Sequence, residues 1–363
     1  LHFYFYRKAV QALNPGPWGH VMIILVLSFL LLSPIILHLI EGNDTVIFYT
    51  AFAYIAYFWM GILFLAFSIY LVIDIYKIVI SFSSRIFYPG LLDFMPQARM
   101  TFFTVLAIIA VINIYGWFEA GNIRVEKIEM KTSKLPPGTD MLRIVLIADT
   151  HFSTVNGLGP ARKITGIIDN LKPDLLVSAG DLFDRGIRNK SEIERLFAGI
   201  KAPYGKFATT GNHEFISGIK ASTEFTENAG FRMLRNEVVN VAGFINIAAV
   251  DDPSARTFGG SQDAVEHEVV TGLLPDHLNI FLKHQPKIEK GSIGKFDVQL
   301  SGHTHKGQIF PFTLVVSLFY KYMDGFFDLG NGSILYVSRG TGTWGPPIRF
   351  LTFPEITVIE FIR

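Results

Sequence analysis

The chain has 363 residues, of which 50% are hydrophobic and only 17% charged, with a formal net charge of +1. That balance, with a positive mean hydropathy, is too apolar for a purely soluble enzyme, and it offers no charged field for holding nucleic acid, so nucleic acid is not an expected partner. There is no cysteine, which excludes disulfides, thiolate metal sites and a cysteine nucleophile.

In chain order, Leu1-His2-Phe3-Tyr4-Phe5-Tyr6 runs into Arg7-Lys8. Aromatic residues followed by basic ones resemble the belt and anchor of a membrane helix. Residues 1–6 are therefore expected to end a span that begins upstream. Three apolar stretches then reach the roughly 20 residues that a bilayer requires. They run from about Val21 to Ile40, Val46 to Ile73 and Thr101 to Phe118. The second is too short for two spans with a turn and reads as one tilted or extended helix. Residues 1–120 thus form a multi-pass transmembrane region. Asp74, at the end of the second span, is expected to pair with Lys77 one turn on.

Basic residues in short loops face the cytoplasm. Arg7 and Lys8 precede the first span, Glu41 and Asp44 follow it, and Lys77, Arg85 and Arg99 separate the second from the third. Three crossings then place the remainder outside the cytoplasm. The expectation is a multi-pass protein of the plasma (inner) membrane with an extracytoplasmic domain.

Residues 121–141 read as a linker with an edge strand, because 123–131 alternates apolar and polar residues. From 142 to 363 short apolar runs alternate with turn residues. Five of those runs end in polar ligands. Arg143 to Ala148 leads into Asp149-Thr150-His151. Asp174 to Ala179 leads into Gly180-Asp181-Leu182-Phe183-Asp184-Arg185. Lys206 to Thr210 leads into Gly211-Asn212-His213-Glu214. Leu278 to Leu282 leads into Lys283-His284, and Asp297 to Leu300 into Ser301-Gly302-His303-Thr304-His305. Residues two apart on an extended chain share a side, so Asp149 and His151 can reach one ion. Open α/β sheets build their sites at such strand ends, and Gly180, Gly211 and Gly302 allow tight turns there. Half of the ten histidines fall in these motifs.

The set DTH, GDLFDR, GNHE, KH and GHTH resembles the calcineurin-like metallophosphoesterases. The apolar helices ahead of it, GHTHKGQ and YVSRGTGTWGPPIR are similar to a multi-pass membrane-anchored bacterial branch. Lys306 stands where many relatives carry Gly. The fold class this implies is α/β: N-terminal transmembrane helices, then a two-sheet metallophosphoesterase sandwich with flanking helices. The implied ligands are Asp149, His151, Asp181 and His305 for one metal, and Asp181, Asn212, His284 and His303 for the other, with Asp181 bridging. Oxygen and imidazole donors suit Mn, Fe or Zn better than Ca. Two divalent ions carry more charge than Asp149 and Asp181 neutralise, so the core suits an anionic phosphate.

The resemblance further implies that His213 protonates the leaving group or steadies its charge, with Asp184 orienting it. Arg185 could touch a phosphate or serve a structural salt bridge. The expected activity is that of a phosphodiesterase acting on a phosphate ester near the membrane surface, with membrane lipids and lipid-linked phosphates as candidate partners. Cleavage of UDP-2,3-diacylglucosamine in lipid A synthesis is the alternative substrate. An inert membrane sensor or transporter is the alternative class. Asp251 and Asp252 read as turn residues shaping the site. The apolar run Ile309 to Tyr320 is too short to span, and reads as either a buried helix or an apolar edge dipping into the membrane interface.

Overall fold

The structure is a computed structural model and describes residues 1–40, 48–258 and 266–363. The predicted loop residues Glu41 and Asp44, and residues 46 and 47 of the predicted second span, lie outside the described residues. The chain divides into two compact units. The first comprises residues 1–118 with 345–348, and the second residues 119–344 with 349–363.

Among the described residues, four α-helices begin the chain: α1 (His2–Leu13), α2 (Pro17–Ile40), α3 (Tyr49–Ile86) and α4 (Ala98–Ala120). The last three are long and apolar enough to cross a membrane. Helix α3 runs 13 residues beyond the expected end at Ile73 and has 38 in all. At 1.5 Å per residue it rises about 57 Å, well past the roughly 30 Å of bilayer hydrocarbon. Charge ended the apolar run at Asp74, but no helix-breaking residue follows until Pro89. Asp74 interacts electrostatically with Lys77, as expected, but its hydrogen bonds come from another helix. It accepts from Tyr4 Oη and Lys8 Nζ, each at 2.5 Å, because α1 lies along α3 and brings stronger donors to the carboxylate.

The second unit contains, in order, β1 (Arg124–Lys131), β2 (Met141–Ile147), α5 (Leu158–Leu171), β3 (Leu175–Ser178), α6 (Lys190–Ala198), β4 (Lys206–Ala208), α7 (Asn212–Ile216), α8 (Ile219–Asn228), β5 (Arg232–Met233), β6 (Glu237–Val241), β7 (Ile245–Ala249), α9 (Glu266–Thr271), β8 (Leu278–Leu282), β9 (Val298–Ser301), α10 (Phe312–Phe319), β10 (Gly325–Gly330), β11 (Ser333–Val337) and β12 (Glu355–Ile362). Two six-stranded mixed sheets form, in the orders β1-β12-β2-β3-β4-β5 and β10-β11-β9-β8-β7-β6.

The sheets face each other across one core. Leu142, Ile144 and Leu146 of β2 pack with Ile245, Ile247, Leu278, Ile280 and Leu300 of the opposite sheet. Val145 and Ile147 point the other way, onto Ala161, Ile164 and Ile168 of α5 and Phe197 of α6. Outside the second sheet, Phe281 packs with Val269 and Val270 of α9. From Ile144 to Ile147 both faces of β2 are dry, which is why that part of the strand is continuously apolar rather than alternating, while Arg143 near its start pairs with Glu360. Each such side chain is worth roughly 1.5–3 kcal/mol of transfer free energy, and that burial fixes the strands whose ends carry the polar loops.

Candidate metal centre

Strands β2, β3, β4, β8 and β9 each stop just before a motif: Asp149 and His151, Asp181, Asn212, His284, and His303 with His305. The structure brings all seven residues together. Asp149, His151, Asp181 and His284 are almost wholly buried. Their convergence does not come from strand alternation, as the sequence suggested. Asp149, His151, Asp181, His303 and His305 all have positive φ, between 46° and 74°. Left-handed turns beyond the strand ends fold these side chains back to one point, at a cost of roughly 1–2 kcal/mol per residue. The segment stays anchored through Asp149 N–H to Gly180 O and His151 N–H to Asp181 O, both 3.0 Å.

The glycines differ in purpose. Gly180 turns, with φ +94°, and a Cβ there would meet Gly211 N at 2.6 Å. Gly211 has an ordinary φ of −103°, and Gly302 is not among the positive-φ positions. Both provide space, because the carboxylates of Asp181 and Asp149 press against them.

Two clusters of donors result. His151 Nε2 and His305 Nε2 are 3.0 Å apart, with Asp149 Oδ1 3.6 Å from His305 Nε2. In the second cluster, Asn212 Oδ1 lies 3.2 Å from His284 Nε2 and 3.0 Å from His303 Nδ1. Asp181 Oδ2 lies between the clusters, 3.6 Å from His151 Nε2 and 3.3 Å from His284 Nε2. Outer partners settle which nitrogens face inward. His284 Nδ1 is 2.8 Å from the carbonyl of Ala179, and His151 Nδ1 is 3.1 Å from Asp184 Oδ2. With Nδ1 donating outward, the Nε2 atoms of His151 and His284 face the cluster and could offer lone pairs to a cation once deprotonated. The residues thus fit divalent metals, with oxygen and nitrogen donors and no sulfur.

In the metal-free protein the charges are uneven. Burial, reinforced by the Asp181 charge, raises the Asp149 carboxyl despite the neighbouring His284. Burial acts on Asp181 too, but His284 and His151 outweigh it and hold that carboxyl well below its ordinary range. Burial also opposes a proton on His284, yet Asp181 keeps that proton firmly bound. Burial and His284 lower His303 to about 4, and burial with His151 and Arg349 lowers His305 well below its usual value. Those two are neutral already, whereas His284 would have to lose a proton to bind a metal.

Asp184 sits between two histidines, with His213 Nδ1 2.6 Å from Oδ1 and His151 Nδ1 3.1 Å from Oδ2. Arg185 is exposed, and its Nε donates to the carbonyl of Ser217 at 3.0 Å, a backbone anchor. Asp251 accepts from Thr210 Oγ1 and Arg235. Asp252 is buried and accepts from Gln285 Nε2 at 2.8 Å.

Three neighbours of the centre escaped sequence reasoning. Glu214 is fully buried and accepts from the backbone N–H groups of Gly211, Asp181 and Leu182 at 2.6, 3.0 and 2.8 Å. Its place three residues after Gly211 is a capping-box signal. Arg349 is fully buried and donates to the carbonyls of Gly340 (3.1 Å) and Gly342 (2.6 Å), with Nη2 3.4 Å from His305 Nδ1. It ends the run YVSRGTGTWGPPIR, to which no role had been given. Tyr320 Oη is 2.7 Å from His303 Nε2, a contact hidden within an apolar run.

Known proteins bear on this geometry. The profile of the calcineurin-like phosphoesterases matches residues 142–307. An "Uncharacterized metallophosphoesterase" of Aquifex aeolicus is 35% identical over 254 residues, covering 69% of this chain and 97% of that protein. A Danio rerio "Transmembrane protein with metallophosphoesterase domain" is 30% identical, covering 70% of this chain and 62% of that protein. Among solved structures, a 5'-nucleotidase precursor from Thermus thermophilus aligns at 17% identity and a TM-score of 0.37, covering 61% of this chain and 54% of that one.

Proposed function

The chain belongs to the calcineurin-like phosphoesterases and is a phosphoester hydrolase; from that premise we propose that it is a membrane-bound phosphodiesterase using two divalent ions of Mn, Fe or Zn. The observation that carries the reading is the placement of Asp181 Oδ2 within 3.6 Å of one imidazole cluster and 3.3 Å of the other. One carboxylate so placed can serve two cations. Presence of all seven donors supports an active centre over an inert sensor.

Bound there, two divalent cations would acidify a water and polarise a phosphoryl group. The chain's own residues set the rest. Asp149, His151, Asp181 and His305 would hold one ion, and Asp181, Asn212, His284 and His303 the other. His213 would donate a proton to the leaving oxygen. Burial opposes that proton, but the Asp184 hydrogen bond and the Asp181 and Asp184 charges raise His213 to about 9 in the metal-free protein. It therefore carries a proton at neutral pH, and nearby divalent cations would ease its release. Arg185 would meet a phosphate oxygen at the rim. Two divalent ions would bring four positive charges, of which Asp149 and Asp181 would offset two and a bound hydroxide a third, and the remaining charge of about one suits the single negative charge of a diester.

The test is metal content after chelation and reloading, with hydrolysis of bis(p-nitrophenyl) phosphate and p-nitrophenyl phosphate compared. Metal uptake with the diester preferred by roughly 10-fold, about 1.4 kcal/mol of transition-state discrimination, supports the proposal. Preference for the monoester would overturn the diesterase assignment, and failure to take up metal would overturn the centre.

The membrane assignment rests on α2, α3 and α4, and on the ion pair that brings Lys8 to Asp74 of α3. Arg7 and Lys8 would share the cytoplasmic side with Lys77, Arg85 and Arg99, leaving the catalytic unit outside in the plasma membrane of a cell. C-terminal reporter fusions check this. Active alkaline phosphatase with dark green fluorescent protein is the expected outcome. The reverse would put the unit in the cytoplasm and favour UDP-2,3-diacylglucosamine as substrate.

A further inference from the structure

The run Ile309 to Tyr320 forms α10, an eight-residue helix of sequence FTLVVSLF that buries none of its residues. Leu318 is 81% exposed and Phe319 75%, with Leu314 and Val315 also exposed. Unlike α5 or α9, this helix has no apolar face turned to the core. Water is a poor solvent for such a surface, since each of these side chains gains roughly 1.5–3 kcal/mol when buried.

Three features decide what covers it. The same chain carries three helices fit to cross a bilayer, so lipid lies within its reach. The fringe of α10 is basic and aromatic: Lys287 and Lys321 are exposed, Lys287 Nζ lies 5.6 Å from the Tyr320 ring, and Lys321 Nζ lies 5.0 Å from the Tyr322 ring. Apolar residues bordered by lysines and tyrosines match the boundary between acyl chains and anionic headgroups. Finally, the helix ends at the metal centre, where Tyr320 Oη meets His303 Nε2 at 2.7 Å.

We propose that α10 is an interfacial lipid-binding helix that seats in the surface of an anionic bilayer and offers lipid headgroup phosphodiesters to the metal centre. This rests on the phosphodiesterase reading and names its substrate class: a phosphodiester whose apolar tail stays in the membrane beside α10. Leu314, Leu318 and Phe319 hold the acyl region, Lys287 and Lys321 the headgroup region, and Tyr320 joins the helix to a metal ligand.

The absence of cysteine allows one label at a chosen place. A spin label on Leu318→Cys in the full chain, reconstituted into phosphatidylcholine–phosphatidylglycerol vesicles, should be open to oxygen and shielded from a water-soluble nickel complex. Lys201→Cys, exposed in the loop before β4, is the solvent reference. Nickel access equal to that reference overturns the proposal. Shielding from both reagents also overturns it, because it marks a protein contact such as a second copy. Activity separates this from the underlying reading. Leu318→Glu with Phe319→Glu should lower hydrolysis of vesicle-borne phosphatidylglycerol by on the order of 10-fold or more, and leave bis(p-nitrophenyl) phosphate unchanged within about 2-fold, the scale of a surface substitution. Equal loss on both substrates, or loss on neither, sinks the role of α10 while the metal centre stands or falls by its own test.

Discussion

Asp184 touches His213 on one oxygen and His151 on the other, so one carboxylate would orient both the proposed proton donor and a proposed metal ligand. Burial resists its charge, but the two histidines hold its carboxyl down to about 2. It is therefore ionised at any working pH. His213→Ala should lower kcat on an alkyl phosphodiester by about 10²–10⁴-fold, the usual range for lost proton transfer. The loss should be far smaller with p-nitrophenol as leaving group, which departs without help. Equal losses on both substrates would remove the general-acid role. Asp184→Asn should reproduce the leaving-group dependence and also loosen metal, because it frees His151. The sequence made these residues legible through spacing: Asp, Asn and His at five strand ends are hard to explain otherwise. The helix-capping place of Glu214 is legible in GNHE, but its bonds to Asp181 and Leu182, like the roles of Arg349 and Tyr320, are not, because they are fixed by atoms that fold in from distant segments.

Strands β2, β3, β4, β8 and β9 were readable as short apolar runs, and each forms within about two residues of its expected bounds. What the period could not show was the geometry past the strand ends, where positive φ rather than alternation aims the ligands. Helix α3 was read short for a related reason: hydropathy locates lipid-facing length, whereas helix length is set by breakers. An apolar run shows no choice of neighbour, so Ile309 to Tyr320 reads equally as a buried helix or an apolar edge at the membrane interface; the folded unit buries none of α10, which removes the buried-helix reading. The turn after β3 offers a direct test of how tightly these ends are packed. At Gly180 a Cβ would lie 2.6 Å from Gly211 N and 2.8 Å from His284 Nδ1, at φ +94°. Gly180→Ala should destabilise the catalytic unit by about 2–4 kcal/mol, combining backbone strain with overpacking. It should also deplete bound metal, since His284 has to move. A variant with full metal content and an unchanged melt would show that the loop yields more readily than its contacts suggest.

Over the whole catalytic unit, protons and bound metal would compete for one buried cluster, and the competition would have a definite sign. In the metal-free state Asp181 retains a proton on His284, and Asp184 and Asp181 raise His213 to about 9. Both are groups whose folded affinity for a proton exceeds that of the unfolded chain. Their stabilisation is complete below the unfolded value near 6.5 and is lost as pH rises through the folded one. Burial and the Asp181 charge also raise Glu214 to about 7, but its loss falls between its ordinary value near 4.5 and about 7, mostly below the range in which His213 and His284 act. The lowered groups, Asp181, Asp184, His303 and His305, change protonation only in acid and do not oppose this trend above pH 7. Chelated protein should therefore melt at progressively lower temperature between about pH 7 and 9. For His213 alone the loss is on the order of 3 kcal/mol. Loaded protein should not follow, because a metal replaces the proton on His284 and binds more tightly as that proton becomes easier to remove. The gap between loaded and chelated melting temperatures should widen with pH. Titrating metal into the chelated form should release protons, visible as a calorimetric enthalpy that depends on the ionisation enthalpy of the buffer. A gap that stays constant from pH 7 to 9, with no buffer-dependent heat, would mean that metal and protons do not share these side chains.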